Sequence, residues 1–135
     1  MPHLVIQYTG QLDTETDMGA LCRALSRAIV ALRDETGQPV FPPGGTRVLA
    51  YPAPHHAVAD ASGDHGFVYL NARITRGRSL AIQQQLGEAL LAVVKAHFEP
   101  LFTSRPIGIT LQVEEGRESF DAKHNNLHPL FQSKV

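Results

Sequence analysis

The chain has 135 residues, 43% hydrophobic and 19% charged, with a formal net charge of -1. That balance suits one globular domain spanning residues 1–135, too short for two cores, and excludes a phosphate-neutralising nucleic-acid binder. No apolar run approaches the roughly 20 residues of a membrane helix, no basic-then-apolar leader opens the chain, and the single cysteine, Cys22, excludes an internal disulfide and suits a cytoplasmic setting.

The first element in chain order is a strand over His3–Tyr8. Its centre, Leu4–Ile6, is continuously apolar, as in a strand covered on both faces. After a polar stretch, Met18, Leu21, Cys22, Leu25, Ile29 and Leu32 recur at the three- and four-residue spacing of an amphipathic helix. Asp17 is its candidate N-cap and Gly37 lies just past its end. "QPVFPPGG" excludes helix and reads as a rigid turn, leading to a second strand at Arg47–Tyr51. "PAPHHAVADASGDHG" reads as a loop, and Phe67–Ile74 as a third strand. Ser79 is placed to cap a second helix carrying Ile82, Leu86, Ala89, Leu90, Val93 and Val94 inward, with its end left open by Pro100. Ile107, Ile109, Leu111 and Val113 alternate as the last strand. The remainder, from Arg117, is polar with a short apolar end and is expected to pack onto a neighbour or fray.

The order is β-α-β twice, an α/β pattern. Each unit should form a parallel strand pair, with both helices on one face of a four-stranded sheet. The first and third strands carry apolar residues on both sides, so the uncovered face predicts self-association.

The candidate chemistry begins at Pro2. Were Met1 removed, the chain would start with a secondary amine at the first atom of a buried strand. Burial and nearby arginines both disfavour an ammonium and lower its pKa towards neutrality, where an amine serves as a general base. Arg76 and Arg78 follow the third strand at the start of the second helix, an end of the sheet where ligands bind. Their guanidinium forks match carboxylates. Arg47, following "FPPGGT", is a further candidate anchor, although "PPGGT" lacks the lysine and spacing of a phosphate-binding loop. The seven histidines assemble no ligand set, so neither metal nor cofactor is expected. No serine sits in a nucleophile elbow, Cys22 falls on an apolar helix face, and nothing distinguishes Glu114 or Glu115. The lack of a conventional catalytic group draws attention back to the terminal nitrogen.

Several stretches together carry a resemblance: the opening "MPH", "FPPGG" before an arginine, "GRSL" leading into "QQQLGEALL", "KAHFEPL" and "SR" at the helix end, and the closing "NNLHPLF". Over most of its length the chain resembles the 5-carboxymethyl-2-hydroxymuconate isomerase family. That family belongs to the tautomerase superfamily, with 4-oxalocrotonate tautomerase and macrophage migration inhibitory factor. The resemblance implies a duplicated β-α-β protomer with a mixed four-stranded sheet, assembled as a homotrimer. It also implies removal of Met1 and a cofactor-free ketonisation in aromatic (homoprotocatechuate) degradation, with Pro2 as base and then acid. Arg78 and Arg47 would bind the carboxylates of a small-molecule substrate; no nucleic acid or membrane partner is implied. Only one arginine follows the glycine turn here, where the family has two close together, and this leaves the choice of substrate open. Another unsaturated 2-hydroxy acid, or a non-catalytic oligomer of the same fold, are the alternatives.

Overall fold

The computed structural model describes residues 1–132. Four strands, β1 (His3–Thr9), β2 (Arg47–Ala53), β3 (Gly66–Ile74) and β4 (Ile107–Glu115), and two helices, α1 (Met18–Ala31) and α2 (Leu80–Phe102), alternate as β-α-β twice. The sheet order is β2-β1-β3-β4. β1 pairs parallel with β2, and β3 with β4, as each β-α-β unit requires. The two units join through an antiparallel β1–β3 pairing in which His3 lies opposite Arg73. The sheet is therefore mixed.

Side-chain alternation divides the sheet into a covered and an uncovered face. Leu4, Ile6 and Tyr8 of β1 and Val68, Leu70, Ala72 and Ile74 of β3 are buried against Leu21, Leu25 and Ile29 of α1 and Leu86, Leu90, Val94 and Phe98 of α2. Val48 and Ala50 of β2 and Ile109, Leu111 and Val113 of β4 extend this core to the edges. The register sets Val5 beside Leu49, Gln7 beside Tyr51 and Tyr69, and His3 beside Arg47 and Arg73 on the other face. Leu49 and Tyr51 are about half exposed there, at 47% and 52%.

The helix starts follow the sequence reading. Asp17 accepts from the Ala20 N–H at 3.0 Å, and Ser79 Oγ from the Ile82 N–H at 3.2 Å, each satisfying a donor the first turn leaves free. The ends differ. α1 stops at Ala31, with Leu32 as its C-cap, so Gly37 does not terminate it. Asp34 Oδ1 instead gathers the Thr36 and Gln38 N–H groups and the Thr36 hydroxyl, nucleating a tight turn in which Gly37 takes φ +83°. A side chain that bonds nearby backbone competes with continued helix. α2 continues through Pro100 to Phe102. So close to a helix end, the proline gives up a single bond to the Ala96 carbonyl. The Thr103 and Ser104 hydroxyls bond the Pro100 carbonyl at 2.8 and 3.2 Å.

Two segments read as connections also enter the core. A 3-10 helix at Gly10–Thr14 buries Leu12 completely, and Val40 and Phe41 of the "QPVFPPGG" turn are buried. Neither has a periodicity to announce it, because a single inward side chain makes no period. The tail expected to fray or seek a neighbour folds back on its own chain. Glu118 pairs with Arg73 at 3.1 Å, and His128, opening a 3-10 turn to Phe131, packs so closely on Gly44 that a β-carbon there would lie 2.8 Å from its Nδ1.

Leu12→Ala should therefore behave as a core truncation despite its place in a connection, costing about 2–5 kcal/mol in chemical denaturation. A cost below about 0.5 kcal/mol would mark the 3-10 helix as peripheral.

Candidate active site

The antiparallel β1–β3 pairing brings the first residues of the chain to the end of β3. Pro2 is buried, and its carbonyl accepts from the Arg47 N–H at 3.1 Å, extending the parallel ladder to β2. The Met1 amine donates to Thr75 Oγ1 at 2.6 Å, one residue past β3. Its thioether lies directly against Gly45.

Two cavities flank this terminus. One, of about 230 Å³, is lined by Met1, His3, Arg73, Thr75 and, from the tail, Asp121 and Lys123, with Ile74 and Glu118 completing it. The second, of about 380 Å³, is lined by Met1, Pro42, Thr75, Arg76, Gly77 and Arg78. Met1 and Thr75 line both.

The strand-to-helix connection that carries the arginines is tightly built. Gly77 takes φ +104°, a region L side chains rarely adopt, and its N–H donates to Glu115 Oε2 at 3.0 Å. Glu115 thus braces the loop at the end of β4. Arg78 follows directly, its guanidinium 5.2 Å from the Phe41 ring centroid, a cation–π distance. The Arg78 carbonyl accepts from Gln83 Nε2 at 3.0 Å. Among the described residues no carboxylate pairs with Arg78, so its fork is available to an anion, next to the N-terminus of α2 with its unspent backbone donors.

The terminal amine is held below its ordinary pKa of 8.0. Burial is the largest cause, followed by the positive charges of Lys123 and then Arg78, while Asp121 and Glu118 oppose them. His3, on the uncovered face, is likewise lowered, first by burial and then by the terminal amine and Arg47. The Met1 amine is thereby biased towards its free-base form.

The structure places Met1, one residue before Pro2, in the cavity that Arg78 lines and directs the Arg47 side chain to its own turn. Its Nη1 donates to the Gly44 and Thr46 carbonyls at 2.7 and 3.1 Å, and it lines a groove of about 670 Å³ beside α1 with Arg27, Arg33, Leu127 and Phe131. The turn at 42–46 separates the two places: Pro42 and Gly45 meet Met1, whereas Pro43, Gly44 and Thr46 line the groove. Arg76 lines the cavity that Arg78 lines. Among the histidines, His97 is committed to a 2.8 Å bond with the Thr16 hydroxyl. No three His, Cys, Asp or Glu side chains converge among the described residues.

A family model described as 5-carboxymethyl-2-hydroxymuconate isomerase matches residues 2–131. The chain belongs to this isomerase family. It is 31% identical over 131 residues to the Escherichia coli 5-carboxymethyl-2-hydroxymuconate Delta-isomerase, covering 97% of this chain and 99% of that one. A crystal structure of a 5-carboxymethyl-2-hydroxymuconate delta-isomerase aligns at 51% identity and a TM-score of 0.93, over 100% of this chain and 95% of that one. The isomerase from Deinococcus radiodurans R1 aligns at 32% identity and 0.86, over 98% and 95%. A fused 4-OT protein, solved as a symmetric trimer, shares the fold at 21% identity and 0.52, over 96% of each chain. The resemblance read from "GRSL", "NNLH" and the opening proline thus led to the right family, and the expected fold is the one shared with the fused 4-OT protein.

Thr75, Glu118, Asp121 and Lys123 were not singled out by the sequence. Thr75 reads as the first residue after a strand, and the other three lie in a tail without periodicity. Only the return of the tail to the end of β3 puts them beside the terminus.

Removing a cation that disfavours the ammonium must raise the amine's pKa. In protein that retains Met1, Arg78→Ala should therefore move the Met1 amine upward when followed by NMR on isotope-labelled protein, and Asp121→Asn should move it downward. Shifts in the reverse directions would mean these charges do not face the nitrogen.

Proposed function

We propose that Met1 is removed and that the Pro2 amine, thereby exposed, is the acid–base catalyst of a cofactor-free isomerisation of an unsaturated 2-hydroxy acid. The reading is carried by one observation: Met1, one residue before the Pro2 nitrogen, lines two cavities, and its amine is disfavoured as an ammonium by burial and by the cations Lys123 and Arg78, one from each cavity. Loss of Met1, which lines both cavities, would merge them around Pro2.

The substrate class follows from the family name. 5-Carboxymethyl-2-hydroxymuconate carries a dienol and three carboxylates, and its degradation belongs to aromatic catabolism. In the proposed reaction the Pro2 free base takes the 2-hydroxyl proton. The electron pair passes through the conjugated system, the oxygen becomes a ketone, and the distant carbon takes the proton back from the prolyl ammonium. Arg78 binds the carboxylate beside the reacting oxygen and stabilises the charge that develops there, as a fixed cation does without reorganising. Arg47 is the second proposed anchor, reaching substrate only by releasing the Gly44 and Thr46 carbonyls. Its backbone bond to Pro2 positions the nitrogen in either case.

The proposed assembly is a homotrimer of the 135-residue domain, acting in the cytoplasm, where a lone thiol such as Cys22 stays reduced. Its support is the uncovered sheet face, where Val5, Leu49, Tyr51 and Tyr69 gather on neighbouring strands. Such a surface is normally buried against another copy. No helix among the described residues is long and apolar enough to cross a membrane.

Mass spectrometry of the purified protein should find a chain beginning at Pro2. Acylating the Pro2 nitrogen should lower kcat for 5-carboxymethyl-2-hydroxymuconate by about 10²–10⁴-fold, the contribution of general acid–base catalysis, and Pro2→Ala, which leaves a primary amine less well placed than the ring nitrogen, should lower it by at least about tenfold. Arg78→Ala should lower kcat/KM by about 10–100-fold, the loss of a charged hydrogen-bonded contact. The rate should rise with pH through an amine pKa below that of a free prolyl amine, because only the free base accepts a proton. Full activity in Pro2→Ala, or a native chain that keeps Met1, would sink the mechanism. Leu49→Glu, a charge on the uncovered face, should dissociate the trimer in analytical ultracentrifugation; a wild-type monomer would remove the assembly from the proposal.

A further inference from the structure

The tail beyond β4 has no helix or strand between Gly116 and Leu127, yet it supplies Glu118, Asp121 and Lys123 to the 230 Å³ cavity at the chain's start. Lys123 differs from the other cations near Pro2. Arg73 is tied to Glu118 and stands in the row of uncovered-face residues with His3. Arg78 approaches through the other cavity, from the loop before α2. Among the described residues, Lys123 alone brings a cation to the first cavity from outside the sheet and the β3–α2 connection.

We propose that Lys123 is a carboxylate-binding residue that sets specificity for polycarboxylic substrates. It would take the substrate carboxylate remote from the one held by Arg78. The inference rests on the reading of Pro2 as the acid–base residue, since it places the substrate across that nitrogen with one end in each cavity.

Charge and geometry fit the role. An ammonium has three donors, and Lys123 spends one on Asp121. The pair is substantially exposed, with 39% and 48% of the two side chains open to solvent. Exposed pairs of this kind are weak, so an incoming carboxylate shares the ammonium or displaces Asp121 at little cost. Before substrate arrives, Asp121 keeps the lysine at the cavity and offsets its charge. At the Met1 amine, one residue before Pro2, Lys123 exerts a stronger electrostatic effect than Arg78, which agrees with an ammonium turned towards the start of the chain. A monocarboxylic enol engages Arg78 alone, whereas a tricarboxylate engages both cations. The selectivity between them therefore resides in Lys123.

The test compares wild type, Lys123→Gln and Lys123→Arg, all processed to begin at Pro2, on 5-carboxymethyl-2-hydroxymuconate and on the monocarboxylic enol of phenylpyruvate. Rates are taken at a pH above the amine's titration, so that a change in the base's protonation does not enter. Lys123→Gln should lower the ratio of the two kcat/KM values at least tenfold, mainly through KM for the tricarboxylate. Lys123→Arg should restore most of it. In parallel, calorimetry with propane-1,2,3-tricarboxylate as probe should show about tenfold weaker binding in Lys123→Gln, in the wild-type and the Pro2→Ala backgrounds alike. An unchanged ratio, or equal losses on both substrates with unchanged probe binding, would overturn the proposal. Because the probe is not turned over, Lys123-dependent binding combined with full activity in Pro2→Ala would reject the catalytic reading of Pro2 and leave the carboxylate site standing.

Discussion

The antiparallel pairing of β1 with β3 is the constraint on which the rest of the molecule depends. Each β-α-β unit forms a parallel pair of strands and buries only one of its faces. Joining the units through their first strands makes one sheet with both helices on the same side. Because the join is antiparallel, the start of β1 meets the end of β3. The chain's first nitrogen therefore lies beside the loop that opens α2, which is where Gly77 turns the chain and Arg78 emerges. A parallel join would have put the same residues at opposite ends of the sheet.

That meeting gives the terminal nitrogen its chemical character. A chain terminus is ordinarily solvated and carries its charge without penalty. Here strand pairing, through the Arg47 N–H on the Pro2 carbonyl, fixes the backbone one residue into the chain. The Met1 amine just before it is then caught between burial and cations from two directions. These effects act in the same sense, since each destabilises the ammonium, while the carboxylates of Asp121 and Glu118 hold the shift in check. A proline suits the position sterically because an X-Pro start favours extended backbone. Its ring carries no N–H to donate while Met1 is attached, which is tolerated because Pro2 lies just before the first residue of β1.

Where a segment's own pattern is periodic, the sequence was a sufficient guide. The alternation in β4, the helical spacing from Met18 to Ile29, and the caps at Asp17 and Ser79 are local physics, and all are found in the structure. Leu12 and Phe41 were hidden for the opposite reason, since each is a single inward residue in a connection. The end of α1 was misplaced because Asp34 captures nearby backbone donors, a competition that residue type suggests but does not decide. At the site, Pro2, Arg76 and Arg78 stood out by chemistry and by position relative to a strand or helix end. Arg47 stood out equally, yet its guanidinium is drawn to the carbonyls of its own turn.

By itself the sequence determined the two β-α-β units, the helix caps, the uncovered face and, through "MPH", "GRSL" and "NNLH", the family. These are properties of short windows, where side-chain spacing and turn chemistry act over a few residues. Only the tertiary structure decided the register in which the units meet, with His3 opposite Arg73, that Met1 lines two cavities, and that the tail brings Lys123 to the chain's beginning. The physical reason is separation along the chain. Lys123 and Pro2 interact through space across nearly the whole sequence, and no local preference encodes a contact whose partner lies at the far end.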